Sequence, residues 1–368
     1  MKHIYKLSVL LFLLPALLMA GPGYGKYTKT KKLSKTFTVN KNCMVDIQNE
    51  FGNITITTWD KPTVSIDITV EVSGNNESNV NKQLRDIDVD FNASSSKISA
   101  RTDISKSGNN NNGGSLWSTI MGSNNSRNSS NMKIDYIIRM PVTAAVDISN
   151  DYGSVSIDRL LGHAKIQCDF GRLDIGQLLA SDNELSFDYT KNSHIDYMKS
   201  GTIRADFSGF ELHGAEKVNY SGDYTKAKFD NVKDIKFNGD FSTIQSQDVI
   251  KLVGRGDYST IKLGHIKESI NLSTSFGSIN IEELSPNFKE AVIKSEYTSI
   301  KVNFHPEAAF KFDIDTEFAS IKLSEDLTVT DSENNSTEKQ KSGYHKEKNA
   351  TSVINIRSSF GGVSLRKN

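Results

Sequence analysis

Cysteine is scarce in this chain, with only Cys43 and Cys168 among its 368 residues. Small exported proteins that rely on disulfides carry many closely spaced cysteines, so the chain is not a disulfide scaffold. The two residues are far apart in the sequence and fall in different predicted strands. We expect each to be a small buried apolar side chain, with pairing as the alternative.

Charge of one sign is also lacking, because 44 basic residues balance 44 acidic ones. This balance excludes electrostatic capture of nucleic acid or anionic lipid as the main activity. The sequence has no metal-binding histidine spacing, nucleophile elbow, phosphate-binding glycine loop or dinucleotide fingerprint. It therefore predicts no catalytic residue, no cofactor and no metal site. Most histidines are expected to be surface polar residues near loops: His163, His194, His213, His265 and His305.

Long apolar runs are missing after the first 20 residues, so no later transmembrane segment is predicted. At the start, Lys2 and Lys6 precede the mostly apolar run 7–18, and Met19-Ala20-Gly21 follows it. This order is typical of a signal peptide, predicted over 1–20 with a linker over 21–33. A membrane anchor is the alternative, but the run is short and contains Pro15. The protein is therefore expected to be exported, to the periplasm, the outer surface or the medium.

An aromatic residue recurs about every 18 residues and marks a repeat. Three residues after it, and again five residues after it, an apolar side chain stands in nearly every copy; another stands four residues before it. The exceptions are Asn192, His194, Ser246 and Gly254. The aromatic positions are Phe51, Tyr152, Phe170, Tyr189, Phe207, Tyr224, Phe241, Tyr258, Phe276, Tyr297, Phe318 and Phe360.

This repeat predicts an all-β protein, a parallel β-helix or solenoid of about 18-residue coils. Apolar residues alternate at period two on each side of the aromatic, which indicates two strands with one buried face. The phase changes at the aromatic, and Gly, Ser, Thr or Ala follows it, as a tight corner requires. We expect the aromatic rings to stack in a column inside the coils. Tyr and Phe alternate strictly from Tyr152 to Phe318, so the underlying unit could be a pair of coils.

Two segments depart from the repeat. Residues 34–150 contain the first coil and two longer alternating runs, 64–72 and 134–140, predicted as an antiparallel β cap that protects a sheet edge. Within this part, the Asn/Ser-rich stretch 107–131 is predicted to be a loop. Residues 151–368 hold the remaining repeats, interrupted by a charged insert over 324–350.

An acidic residue precedes the aromatic in ten of the twelve copies. A column of carboxylates could bind calcium or line a ligand groove, but corner hydrogen bonding is the favoured interpretation. Lysine recurs four residues after the aromatic and could form a basic strip that meets an anionic glycan, although a solvated surface is the favoured interpretation. The possible surface ligand ladder consists of Asp206, Asp223, Asp240, Asp257, Lys262, Lys301 and Lys322.

The segment Phe51-Gly52-Asn53-Ile54-Thr55-Ile56-Thr57-Thr58-Trp59-Asp60, with units such as 276–281, carries a resemblance to a known group. It resembles adhesin-like β-solenoid families of bacterial envelope proteins, including the auto-transporter adhesin head (GIN) domain and related β-strand-repeat domains of unknown function. The resemblance implies a non-enzymatic binding or structural protein of the cell envelope. Its partner is expected to be an envelope protein or a glycan. The alternative is a polysaccharide lyase or hydrolase built on a β-helix.

Overall fold

The computed structural model describes residues 25–104 and 130–368. The chain divides into two compact units, 1–178 and 179–368. Strands make up nearly all of the regular structure in the described ranges, which also contain one helix. The predicted all-β class is therefore confirmed. No helix in these ranges is long and apolar enough to cross a membrane.

Several predicted boundaries fall elsewhere. The predicted signal peptide lies outside the described residues, as does the Asn/Ser-rich loop except for its last two positions, which begin a strand. Residues 27–33, expected as linker, belong to the first strand. The predicted domain boundary at 150/151 separates the cap from the regular repeats and differs from the boundary between the two compact units at 178/179. It stays a prediction.

The first unit contains eleven strands and the helix in its described part. Their bounds are β1 Tyr27–Thr38, β2 Met44–Glu50, β3 Ile54–Trp59, β4 Thr63–Gly74, α1 Glu77–Asp86, β5 Asp88–Ala93, β6 Lys97–Asp103, β7 Ser130–Pro141, β8 Ala145–Asp151, β9 Val155–Leu160, β10 Ala164–Asp169 and β11 Leu173–Leu178. The helix was not predicted, because its sequence is largely polar; Asn76 caps it by accepting a hydrogen bond from the Asn79 N–H, and Val80 anchors it in the core.

Strand pairing in the first unit is mixed. The predicted antiparallel strands are present: β4 pairs antiparallel with β1 on one side and with β7 on the other. β7 then pairs parallel with β3, and β3 with β9. Beside them, β2, β8 and β10 pair in parallel, with Ile47 opposite Ile148 and Ile148 opposite Ile166. The antiparallel strands thus occupy the side of β3 away from the repeats of this unit, where they cover its edge.

The second unit contains fifteen strands. Their bounds are β12 Asn183–Ser186, β13 Ser193–Arg204, β14 Gly209–Ser221, β15 Lys226–Asn238, β16 Thr243–Arg255, β17 Thr260–Ser275, β18 Ser278–Leu284, β19 Glu290–Glu296, β20 Ser299–Phe304, β21 Phe310–Glu317, β22 Ile321–Leu323, β23 Thr328–Asn334, β24 Glu338–His345, β25 Ser352–Ser359 and β26 Val363–Lys367.

Parallel pairs dominate the second unit, and equivalent positions of successive repeats face one another. Ile203 lies opposite Tyr220, which lies opposite Phe237 in the next strand. The apolar positions four before, three after and five after each aromatic are buried in nearly every repeat, as the alternation predicted. These side chains form the core columns of the unit, because in-register parallel pairing stacks like on like.

The last repeat does not follow the order of the chain. β25 lies between β19 and β21, and β26 lies between β20 and β22. The charged insert folds as the hairpin β23–β24, and β24 pairs antiparallel with the other edge of β21. The C-terminal strands are therefore internal, and the polar hairpin covers a sheet edge that would otherwise be open.

Candidate functional site

The aromatic residues of the second unit form one continuous stack of nine rings. Neighbouring ring centroids lie 4.7–5.1 Å apart and the ring planes are within 7° of parallel. We call this stack the aromatic ladder. In spatial order it comprises Tyr189, Phe207, Tyr224, Phe241, Tyr258, Phe276, Tyr297, Phe360 and Phe318. In the first unit, Phe51, Tyr152 and Phe170 also stack, with centroids 5.4 and 4.9 Å apart and ring planes within 13° of parallel.

The prediction that the rings stack was right, but the prediction that they lie inside was wrong. The rings of the aromatic ladder are 45–54% exposed. All twelve repeat aromatics have a left-handed backbone, with φ between 47° and 62°. This turn points the ring outward while the strands on both sides keep their apolar faces in the core. The conformation costs a residue with a β-carbon about 1–2 kcal/mol, which the contacts on both faces of each internal ring offset.

The acidic residues before the rings hydrogen-bond from one repeat to the next. Oδ1 of Asp206 accepts the backbone N–H of Asp223 at 2.8 Å, and Asp223 accepts that of Asp240 at 2.9 Å. Asp240 and Asp257 continue the series. As the corner interpretation predicted, the carboxylates accept backbone N–H groups. Each one, however, accepts from the following repeat rather than from its own corner. These four predicted ladder residues thus lie in one column and satisfy backbone donors that the turn leaves outside the strands.

Hydroxyl groups after the rings complete this network. Oγ1 of Thr225 accepts the N–H of Ser208 at 3.1 Å and donates to the carbonyl oxygen of Ala205 at 2.8 Å. Ser242 and Ser259 repeat the pattern. The small residue that the sequence placed after each ring is therefore buried and hydrogen-bonded wherever it is Ser or Thr. Both polar columns that flank the rings therefore hydrogen-bond backbone groups at the corners of the repeats.

The three predicted lysines lie in a second column, on the strand after the ring. Lys262 pairs in register with Asn280, Asn280 with Lys301, and Lys301 with Ser364. Ser364 in turn faces Lys322. Lysine therefore occupies every second repeat and an uncharged polar residue the repeats between. We call Lys262, Lys301 and Lys322 the lysine column.

The lysine column differs from several nearby lysines of the unit, which have carboxylate partners. Its three members are exposed and form no ion pair among the described residues. Lys251 and Lys289 both pair with Glu268, and Lys267 pairs with Asp248. The acidic column alternates in the same repeats: Asp257, Ser275, Glu296, Ser359 and Glu317 follow one another in space. Charged repeats thus alternate with uncharged ones, which places like charges two repeats apart and weakens their repulsion.

Two carboxyl groups in the acidic column of the first unit have raised pKa values. Glu50 faces Asp151, and Asp151 faces Asp169 in the next strand. Burial raises the pKa of Glu50 and of Asp151, and the neighbouring carboxylate (Asp151 and Asp169, respectively) raises each further. A raised carboxyl pKa stabilises the fold when the group is protonated. That contribution is full below the ordinary carboxyl range and is lost as the pH rises through the raised pKa.

We therefore expect Asp151→Asn to stabilise the first unit at pH 7. The amide keeps an acceptor but removes a partly buried charge that faces two other carboxyl groups, so Tm is expected to rise by roughly 2 °C. The rise in Tm is expected to be smaller at pH 4, near the ordinary carboxyl pKa, than at pH 7, since the carboxyl group of the unmodified chain is protonated to a larger extent there. Thermal melts at both pH values check this. Asp174→Asn is the control, because Asp174 is exposed beside Arg172; an equal rise in the control would contradict the burial argument.

The cysteines are buried and isolated, whereas two of the histidines lie together. Cys43 and Cys168 are unpaired and fully buried, as expected. Burial raises the pKa of Cys168 to about 12, so its thiol is unreactive at neutral pH. The histidines were expected to be scattered surface groups, yet the rings of His194 and His213 lie 4.5 Å apart between centroids. The sequence missed this contact because the two residues belong to different repeats.

Comparison with known proteins finds similarity only among solved structures. No protein-family model matches the chain, and no curated protein sequence matches it. A candidate cell adhesion protein from Clostridium sporogenes is 11% identical and aligns over 92% of this chain and 100% of its own, with a TM-score of 0.17. A candidate adhesin from Bacteroides fragilis is 12% identical over 92% of this chain and 97% of its own, with a TM-score of 0.28.

A candidate adhesin from Parabacteroides merdae is 8% identical and aligns over 77% of this chain and 97% of its own, with a TM-score of 0.33. All three structures are described as adhesins or as a cell adhesion protein. Identities and TM-scores this low carry no argument about the role of this chain.

Proposed function

We propose that this chain is an exported, non-enzymatic, adhesin-like binding protein built as a parallel β-solenoid, and that it binds an extended anionic polysaccharide. The in-register parallel pairing of equivalent positions in successive repeats supports the solenoid. One observation supports the ligand: the lysine column presents unpaired, exposed cations at every second repeat. Parallel strands stack about 4.8 Å apart, so these charges recur about every 10 Å, a spacing that suits a linear polymer of repeating charged units.

The aromatic ladder has a supporting part in this proposal. Sugar rings bind aromatic side chains by stacking on a free ring face. In the ladder, the faces of every internal ring are covered by its neighbours, and only ring edges meet solvent. The ladder therefore acts as a stiff spine that fixes the spacing of the repeats. The lysine column, on the strand that follows the ring, supplies the direct contacts.

The proposal is tested by binding of the mature chain to three polysaccharides: sulfated heparin, carboxylated polygalacturonate and neutral dextran. We expect binding to an anionic polymer and not to dextran. The triple variant K262Q/K301Q/K322Q should bind about tenfold more weakly or worse, since three exposed charge contacts each contribute about 0.2–1 kcal/mol. Its affinity should also depend less on salt concentration than that of the unmodified chain.

The matched control is K251Q/K267Q/K289Q, which removes the same charge from lysines that already have carboxylate partners. We expect this control to bind nearly as well as the unmodified chain. Equal loss in both triples, or binding to none of the anionic polymers, would overturn the assignment of the ligand. Release of reducing ends or unsaturated sugars during the incubation would overturn the non-enzymatic assignment.

A further inference from the structure

The strands β13, β14 and β15 bring together two histidines and two aspartates of three successive repeats. Nε2 of His194 lies 2.8 Å from Oδ1 of Asp196 on the same strand. One ring nitrogen of His194, one of His213 and a carboxylate oxygen of Asp196 all lie within 4.8 Å of one another. Asp230 holds Nδ1 of His213 at 2.5 Å. Neither the aromatic ladder nor the lysine column includes these residues.

The juxtaposition results from one extra residue in the repeat that begins at Tyr189. Asn192 adopts a left-handed backbone with φ of 57°, as the ring positions do. Ser193 rather than Asn192 then faces Phe210, and His194 faces Glu211. The pairs on either side of Asp196 place it opposite His213, just as the next pairs place His213 opposite Asp230. The insertion thus shifts the register of this repeat by one residue. As a result, the carboxylate of Asp196 and the imidazole of His194 lie beside His213.

We propose that His194, Asp196 and His213 bind a divalent transition-metal ion, for which Zn²⁺ is the best suited. Two imidazoles and one carboxylate are the donor set of many three-ligand zinc sites, in which a solvent molecule or another ligand fills the fourth position. Ligand atoms around a tetrahedral zinc ion lie roughly 3.4 Å apart. The side chains are 40%, 60% and 39% exposed, so small rotations bring their donor atoms to that distance.

Asp230 provides the second argument for a metal site. It occupies Nδ1 of His213, which leaves Nε2 of that ring as the nitrogen for the ion. A carboxylate on the far nitrogen of a metal-binding histidine fixes the ring orientation and increases its basicity. Asp230 is itself held in place, with only 17% of its side chain exposed and Lys228 at 3.5 Å. The group is thus an oriented donor set rather than an isolated surface ion pair.

The same unit contains a natural comparison. His265 lies 3.4 Å from Asp248 of the preceding repeat, which reproduces a single histidine–aspartate contact between repeats. Among the described residues, this pair is not part of a group of three or more side chains that could hold a metal ion. His265→Ala therefore removes a histidine of similar exposure without touching the proposed site.

The test is calorimetric titration of the mature chain, expressed without a polyhistidine tag, with Zn²⁺. We expect one tightly bound ion per chain, and at least a tenfold loss of affinity in His194→Ala and in His213→Ala. His213→Gln should lose as much, because an amide does not replace the imidazole donor. Asp230→Asn should weaken binding about 10–100-fold by releasing the ring. His265→Ala should bind as the unmodified chain does.

Co²⁺ provides a second readout, since its visible absorption reports tetrahedral coordination. The unmodified chain should develop this absorption, and Asp230→Asn should alter it. All variants should keep the circular dichroism spectrum of the unmodified chain, because the four side chains lie outside the core. The proposal is overturned if His194→Ala and His213→Ala bind Zn²⁺ as tightly as the unmodified chain, or if His265→Ala loses as much affinity as they do.

Discussion

Replacing Phe237 by valine and replacing Gly254 by isoleucine are each expected to destabilise the second unit, whereas the two changes together are expected to be nearly neutral. Gly254 interrupts the column of apolar residues that stand four before each ring. Phe237 occupies the equivalent position in the preceding repeat and pairs in register with it. A β-carbon on Gly254 would lie 1.9 Å from Cε1 of Phe237, so the ring already fills the space of the missing side chain.

The magnitudes follow from packing. Phe237 is 3% exposed, and truncating it leaves a cavity that costs about 3 kcal/mol. Isoleucine at position 254 collides with the ring and costs about 1–3 kcal/mol or more. Valine and isoleucine together carry as many side-chain carbons as the original phenylalanine. The double variant should therefore lose less than about 1.5 kcal/mol, as volume-conserving exchanges in protein cores do.

Urea unfolding of the four chains forms a double-mutant cycle. We expect a favourable coupling of at least about 2.5 kcal/mol between the two changes. Val253→Ile is the control for added volume on this strand, since Val253 is 49% exposed and should change stability by less than about 0.5 kcal/mol. Additive effects of the two substitutions would show that Phe237 and Gly254 do not share one space.

This pair illustrates what the sequence could predict and what it could not. The alternation predicted the buried columns because each position reports its own polarity. Gly254 and Ser246 look like lapses until their neighbours are known: Ser246 faces the buried ring of Phe229, just as Gly254 faces Phe237. Which side chain compensates for which is pairwise information, and it appears only when the repeats are stacked in register.

The order of the repeats was beyond the sequence for a similar reason. Every repeat carries the same local pattern, so nothing local indicates that Phe360 lies between Tyr297 and Phe318. A signal for the histidine cluster did exist. Treating Asn192 as an insertion brings the apolar Ile195 into register with Leu212 and sets Asp196 opposite His213, with His194 two residues before Asp196. Positions 192 and 194 depart from the repeat pattern, and local departures of this kind are where functional groups are expected.

The aromatic rings were predicted inside because large apolar side chains are normally buried. Polarity alone does not reveal a left-handed backbone, which reverses the direction of the side chain. The acidic residue before the ring and the small residue after it were the available signals, since both belong to a corner that leaves backbone donors to be satisfied. The ladder is therefore a surface feature with a structural cause, and a substitution can separate the backbone cost from the ring contacts.

Tyr258→Ala is expected to destabilise the second unit more than Tyr258→Gly does. Both changes remove a ring stacked at 4.7 Å on Phe241 and at 4.9 Å on Phe276. Two aromatic pairs contribute about 1–3 kcal/mol together. Alanine retains the cost of a β-carbon at φ of 53°, whereas glycine adopts this conformation freely. Glycine should therefore be the more stable variant by about 1 kcal/mol.

The expected order is the reverse of that in an ordinary strand, where glycine is less stable than alanine by about 0.5–1 kcal/mol. Urea unfolding of both variants measures the difference directly. Tyr258→Phe is the control, since it keeps the ring and its stacking and should change stability little. If alanine proves as stable as glycine, the left-handed backbone is not what the stacked rings offset. If glycine is the more stable but binds anionic polysaccharide more weakly than the unmodified chain, the ladder also sets the spacing of the lysine column.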